Sequence, residues 1–288
     1  MPIFWPDAAS VRARRALARL ASPPRGRPVP APRMDAAPAR LLAESPANTL
    51  AHLAALFSIL VLLAPGIDLL VSGWFVGPDG GFPLSGMASL IALRDLNRIL
   101  TPVLLWGLAA LLLAQGLGLR RPALPRPHAV LFVLAFYAAG PGLLVNGLKT
   151  LVGRARPRDI AEFGGADLFT PAWQASSACS GNCSFPSGEA GSALAMLALV
   201  FLLPPASRRP ALYVLVPFVV AVSLNRIAFG AHFFSDVVLS WLLCGAVMLS
   251  LRPVFTRRAE ALDAAVTGGL ARLAARWRRG AAFGARAA

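Results

Sequence analysis

The chain has 288 residues, 57% of them hydrophobic and only 14% charged, with a mean hydropathy of +0.64. A soluble domain carries about 25% charged residues; here the deficit sits in long apolar runs separated by Arg-rich connectors, which argues against a soluble protein and for one integral membrane domain. The net charge of +15 does not indicate nucleic acid, because the basic residues flank apolar runs and form no continuous groove.

Residues 1–47 are rich in Arg, Ala and Pro, with no apolar stretch long enough for a secretory signal. They read as a basic, partly disordered cytoplasmic extension, in which Val11 to Leu20 can lie as a short helix on the membrane surface. Residues 48–251 read as the membrane domain, an all-α, polytopic six-helix bundle. Its apolar segments fall at about 50–76, 99–119, 128–148, 188–204, 211–228 and 233–251. A span needs about 20 residues at 1.5 Å each, so the fourth segment is short. Residues 252–288 form a basic tail in which Leu262, Val266, Leu270, Leu273 and Trp277 recur at helical spacing. Such a helix can rest on anionic headgroups or pack on the protein.

Arginine placement sets the orientation. Eight arginines precede the first segment and eight follow the sixth; Arg120, Arg121, Arg126, Arg208 and Arg209 occupy two connectors on that same side. The positive-inside rule makes that side the cytoplasm, with both termini inside. The seven remaining cations are Arg94, Arg98, Lys149, Arg154, Arg156, Arg158 and Arg226.

Three polar islands then fall at outer ends of segments three to six. In the first, Lys149 and Arg156 stand seven residues apart ahead of Pro157. On a continuous helix that spacing puts both on one face, a point charge beside a planar fork suited to phosphate oxygens. The second, Phe185-Pro186-Ser187-Gly188-Glu189, opens segment four. It fits a helix N-terminus that attracts an anion, and equally an ordinary start capped by serine with glutamate in the first turn. The third runs from Asn225 and Arg226 through His232 to Asp236. The last two stand four apart on a helix, so the carboxylate can reach the imidazole, fix its tautomer and leave the other nitrogen free to attack. Cys179 and Cys183 lie in a polar loop, CSGNC, as a local disulfide or as two free thiols; no second ligand pair makes it a zinc site.

The order K-x6-RP, then PSG-x, then R-x5-H-x3-D resembles the type-2 phosphatidic acid phosphatase superfamily, the lipid phosphate phosphatases, over roughly residues 50–250. The resemblance implies a lipid phosphate as substrate and a phosphohistidine on His232, with Asp236 orienting the imidazole. Lys149, Arg156, Arg226, Ser187 and the Gly188 backbone would then hold phosphate oxygens, without metal or other cofactor. It also implies an inner-membrane protein acting at the periplasmic face. Where the family's second motif ends in histidine, the proton donor to the leaving group, this chain has Glu189; Asn225 stands where a serine often precedes the arginine. The glutamate and the preceding CSGNCSF are similar to lipid A phosphatases of this superfamily.

Glu189 admits three readings: a general acid raised by bound phosphate, an enzyme whose leaving group needs little protonation, or a binding protein without turnover. A phosphotransferase using the same site is one alternative, and a transporter or scaffold with Asp68 lining a path is another. Transport predicts ionisable groups near mid-membrane, whereas these cluster at one end.

Overall fold

The structure, a computed structural model, describes residues 45–119 and 121–269. The Val11–Leu20 segment and Leu270, Leu273 and Trp277 of the tail lie outside them. Among the described residues there is no strand, only an isolated bridge between Ile160 and Asp167.

The first helix, α1, spans Pro46–Leu63, with Pro46 in its opening turn and the Ser45 hydroxyl accepting from Asn48 N–H at 3.2 Å. The expected first segment, 50–76, is not one helix. It breaks at Ala64-Pro65, since proline cannot donate to the preceding turn, and α2 follows over Gly66–Gly73. Helix α3 covers Ala88–Gly116 and starts 11 residues before the apolar run at 99, so Arg94 and Arg98 are helical. Helix α4, Pro127–Tyr137, passes into wide π turns at Ala138–Val145 around Pro141, and α5 continues over Asn146–Val152. Proline's missing donor is the usual cause of such a local change of pitch.

Helix α6, Gly188–Ala195, tightens into a 3-10 segment at Met196–Leu202. Helix α7 is Pro205–Ala228 and α8 is Phe234–Arg257, with helical turns again at 259–269. Five helices among the described residues are long and apolar enough to cross a membrane; Gly188–Leu202 is the shorter sixth. Large apolar side chains face outward around them, including Leu56, Trp106, Leu143 and Tyr213, each more than 60% exposed. A water-facing surface does not carry so many. The protein is a multi-pass membrane protein.

Helices α6 and α8 pack closely because Gly191 has no side chain: a Cβ there would lie 2.9 Å from Ser240 Oγ and 3.3 Å from Cys244 Sγ. Polar groups are buried along the same contact, with Ser240 Oγ donating to Ser187 carbonyl at 2.8 Å. At the other end, Asp263 accepts from His128 N–H at 2.7 Å and from Arg126 Nε at 2.8 Å, tying residues 259–269 to the start of α4.

The predicted common helical face of Lys149 and Arg156 does not form. Helix α5 stops at Val152 because Gly153 turns left-handed, φ 62°, and Arg156 sits on extended backbone. Pro157 therefore follows a break that glycine has already made. Residue 153 has no room for a side chain, since a Cβ would lie 2.1 Å from the Ser176 carbonyl oxygen. Left-handed φ alone costs a non-glycine residue about 1–2 kcal/mol. Gly153→Ala is expected to destabilise the protein by more than about 2 kcal/mol, read as a lowered midpoint of thermal unfolding in detergent.

Candidate active site

Beyond Gly153 the chain runs beside the loop that carries the two cysteines. Ser176 N–H donates to Val152 carbonyl at 2.8 Å, Cys179 N–H to Gly153 carbonyl at 3.2 Å and Ser184 N–H to Arg154 carbonyl at 2.9 Å. Cys179 and Cys183 are joined in a disulfide, which closes this loop on itself.

Three consecutive residues of the loop then gather three predicted site residues. The Asn182 carbonyl accepts from Arg156, at 2.5 Å from Nη2 and 3.2 Å from Nε. The Cys183 carbonyl accepts from Lys149 Nζ, which also reaches Asn182 Oδ1 at 3.1 Å. The Ser184 carbonyl lies 2.6 Å from His232 Nδ1. Lys149 and Arg156 thus come together through a loop, although they share no helix.

His232 is not on a helix with Asp236. Gly230, at φ 60°, turns the chain after α7, and the N–H groups of Ala231 and His232 both donate to the Arg226 carbonyl, at 3.1 and 3.2 Å. The turn therefore fixes His232 relative to Arg226. Asp236 lies in the first turn of α8 and caps it, accepting from Phe233 N–H at 2.9 Å. Its other partners are Ser184 Oγ at 2.5 Å and Arg154 Nη1 at 2.6 Å.

The imidazole is 3.8 Å from the nearest Asp236 oxygen, so the predicted hydrogen bond between them is replaced. A carbonyl oxygen can only accept, so Nδ1 carries the proton toward Ser184 and Nε2 keeps its lone pair. Asp236 stands at ion-pair range of the imidazole and accepts from Ser184 Oγ. The imidazole is 3% exposed; burial pushes its pKa down to about 3, and Lys149 and Arg226 add to the shift, so it is neutral at physiological pH.

Glu189 sits in the first turn of α6 between two guanidinium groups. Its Oε1 accepts from Arg98 Nε at 2.8 Å, with Nη2 at 2.7 Å, and its Oε2 lies 2.9 Å from Arg226 Nε. Arg226 is buried, and its Nη1 has no hydrogen-bond partner among the described residues. Ser187 caps α6: its hydroxyl accepts from Ala190 N–H at 3.3 Å, which leaves its O–H to donate, and its N–H donates to Asp236 carbonyl at 3.0 Å. Gly188 faces the lysine, since a Cβ built on it would stand 3.5 Å from Lys149 Cε. First-turn N–H groups at 188 and 189 have no acceptor within their own helix, which suits an anion.

Asn225 ties α7 to α3, its Nδ2 donating to Leu90 carbonyl at 2.7 Å. Three further residues escaped the sequence reading. Arg98 was grouped only with the outer cations, yet it pairs with Glu189. Arg154 is fully buried and joins Asp236 to Asp68, a residue considered only for a transport path. Ser184 could have been suspected from its place in CSGNCSF, but a carbonyl leaves no mark in a sequence.

The profile of the PAP2 superfamily matches residues 130–260. A lipid A 4'-phosphatase of Rhizobium leguminosarum is 34% identical over 204 residues, 65% of this chain and 86% of the relative. That of Rhizobium etli is 35% identical over 208 residues, covering 65% and 78%. The chain belongs to the PAP2 superfamily. A lipid A 4'-phosphatase of Francisella tularensis subsp. novicida is 30% identical over 184 residues, 62% of this chain and 82% of that one. No solved structure matches significantly. As a member of the PAP2 superfamily with these relatives, the protein is a membrane lipid phosphatase. The PAP2 match takes in all three polar islands and the disulfide loop, and leaves out α1 to α3.

Proposed function

We propose that this phosphatase acts through a phosphohistidine on His232, on a lipid-borne phosphate presented at the extracytoplasmic rim of a six-span bundle in the bacterial inner membrane. The observation that carries the reading is the buried, neutral imidazole with Nδ1 bound to Ser184 carbonyl and Nε2 left to attack. The Nε2 lone pair forms the bond to phosphorus, the bond to the lipid oxygen breaks, and its electron pair leaves with that oxygen. Water then attacks phosphorus and returns the electron pair to Nε2. Lys149, Arg156, Arg226 and the Gly188 backbone surround the transferring group. Fixed cations around a phosphoryl group supply most of such a rate enhancement. Ser187 would contribute through the helix start that it caps.

The names of the curated relatives favour lipid A as substrate, with isoprenoid and glycerolipid phosphates the other candidates. The arginine distribution supports cytoplasmic termini, with residues 1–47 and 252–288 as the two cytoplasmic extensions. A phosphohistidine can also be discharged by an acceptor other than water, so phosphotransfer is the second reading. The experiment is to measure phosphate release from bis-phosphorylated lipid A, phosphatidic acid and an isoprenoid pyrophosphate in membranes, and to trap labelled enzyme. Absence of release from all three, with no label on His232, would sink the proposal.

The pairing of Glu189 with Arg98 and Arg226 supports a role in holding Arg226 and leaves protonation of the leaving oxygen to water. Glu189→Gln is then expected to lower release from monoesters and pyrophosphates by the same factor, about tenfold. A loss confined to monoesters would restore the general acid.

A further inference from the structure

Behind the catalytic turn lies a buried cluster that phosphate transfer, as outlined above, does not use. Arg154 is 0% exposed and donates from Nη2 to Asp68 at 2.8 Å, from Nη1 to Asp236 at 2.6 Å and from Nε to Thr170 carbonyl at 2.7 Å. Its guanidinium also rests 4.0 Å over the ring of Phe233, the residue after His232. Asp68 is 1% exposed and accepts from Ser235 N–H at 2.8 Å and Ser235 Oγ at 2.5 Å as well as from Arg154. Each carboxylate therefore accepts three donors, which favours its ionised form; at Asp68, burial and the neighbouring Asp236 push the pKa above the usual carboxylate value, while Arg154 and Ser235 pull against that shift.

The charge balance of this cluster has chemical meaning. A buried Arg154–Asp236 pair alone would be neutral and would cancel the carboxylate that stands 3.8 Å from the imidazole. Asp68 adds a second negative charge to the same guanidinium. Two carboxylates and one guanidinium leave one net negative charge. His232 becomes cationic when Nε2 bonds to phosphorus while Nδ1 keeps its proton, and that charge is stabilised by the residual negative one. A neutral cluster needs no third ionic member to hold α2 in place, and burying an extra charge costs more than a neutral polar group.

We propose that Asp68 is a positioning residue for phosphate transfer: through Arg154 it leaves one net negative charge behind the imidazole as His232 takes up the phosphoryl group. This rests on His232 being the nucleophile. Asp68 lies in α2, outside the residues 130–260 that match the superfamily. The helix break at Ala64-Pro65 is what lets a segment from the first apolar run carry a carboxylate to the α8 turn.

The test is single-turnover labelling of the full-length protein in detergent, using whichever of 32P-labelled bis-phosphorylated lipid A or phosphatidic acid the wild type hydrolyses. A unit charge about 10 Å away at an effective dielectric near 20 changes a rate by about tenfold or more. Asp68→Asn is expected to label at least about tenfold more slowly with KM unchanged, and Asp68→Glu to stay within about threefold of wild type. The double variant Asp68→Asn/Arg154→Gln restores the net charge, so it should label about threefold faster than Asp68→Asn.

Wild-type labelling by Asp68→Asn, or a double variant no faster than the single, overturns the proposal. Where Asp68→Asn does not fold, the double variant, in which Asp236 keeps Ser184 Oγ and Phe233 N–H as partners, must label within about tenfold of wild type. A greater loss overturns the proposal as well. His232→Ala is the control: label persisting on it defeats the nucleophile reading itself, whereas no label on it with normal labelling of Asp68→Asn defeats only the role of Asp68.

Discussion

His232→Ala is expected to abolish phosphate release from every lipid phosphate that the wild type hydrolyses, a loss of about a thousandfold or more, because it removes the nitrogen proposed to attack phosphorus. Folding should be little disturbed. The imidazole makes one hydrogen bond, to Ser184 carbonyl, while Asp236 keeps its bonds to Arg154, Ser184 and Phe233. Unchanged melting with abolished turnover is therefore the predicted pair of results. The pH profile of labelling follows from the same burial. A free imidazole protonates near pH 6.5 and would lose its lone pair as the pH falls. Burial holds this group neutral down to about pH 3, so labelling should show no acid limb near 6.5 that belongs to His232. A mutant with undiminished release would end the assignment.

The second large effect is expected at Arg226. Its Nε side faces Glu189 and its Nη1 has no hydrogen-bond partner among the described residues, although the residue is only 3% exposed. An unsatisfied buried guanidinium nitrogen costs free energy unless something else satisfies it, and a phosphate oxygen does so. Arg226→Ala should lower kcat by about a hundredfold to a thousandfold, the range for removing one preorganised donor to a developing anion. Arg226→Lys should recover only part of this, since an ammonium cannot serve Glu189 and a phosphate oxygen with one planar fork. The measurement is kcat and KM on one lipid phosphate. A change in KM alone would show that Arg226 holds the ground state and the transition state equally.

Much of this was legible in the sequence, and the parts that were not share a cause. Apolar runs gave the helical segments approximately, since they depend on local composition. Lys149, Arg156, Arg226 and His232 stood out as ionisable residues interrupting apolar runs, and the family resemblance grouped them. How they meet was misread. The helical face expected of Lys149 and Arg156 assumed that α5 continued to Pro157, whereas Gly153 ends it against the Ser176 carbonyl. The bond expected between Asp236 and His232 assumed a shared helix, whereas the α8 cap claims the carboxylate. In both places a backbone group won a contact that was assigned to a side chain, and backbone partners are set by tertiary folding. Asp68 was visible as an acid in an apolar run, but its partner lies 86 residues away.

In the mechanism proposed above, the bond from His232 Nδ1 to the Ser184 carbonyl would also fix where the phosphoryl group resides. Only one ring nitrogen has a lone pair to share, so a single regioisomer of the covalent adduct forms, on the nitrogen remote from the main chain. Its stereochemical outcome is equally constrained: two successive in-line displacements, one by the ring and one by water, return a chiral thiophosphate with its original handedness.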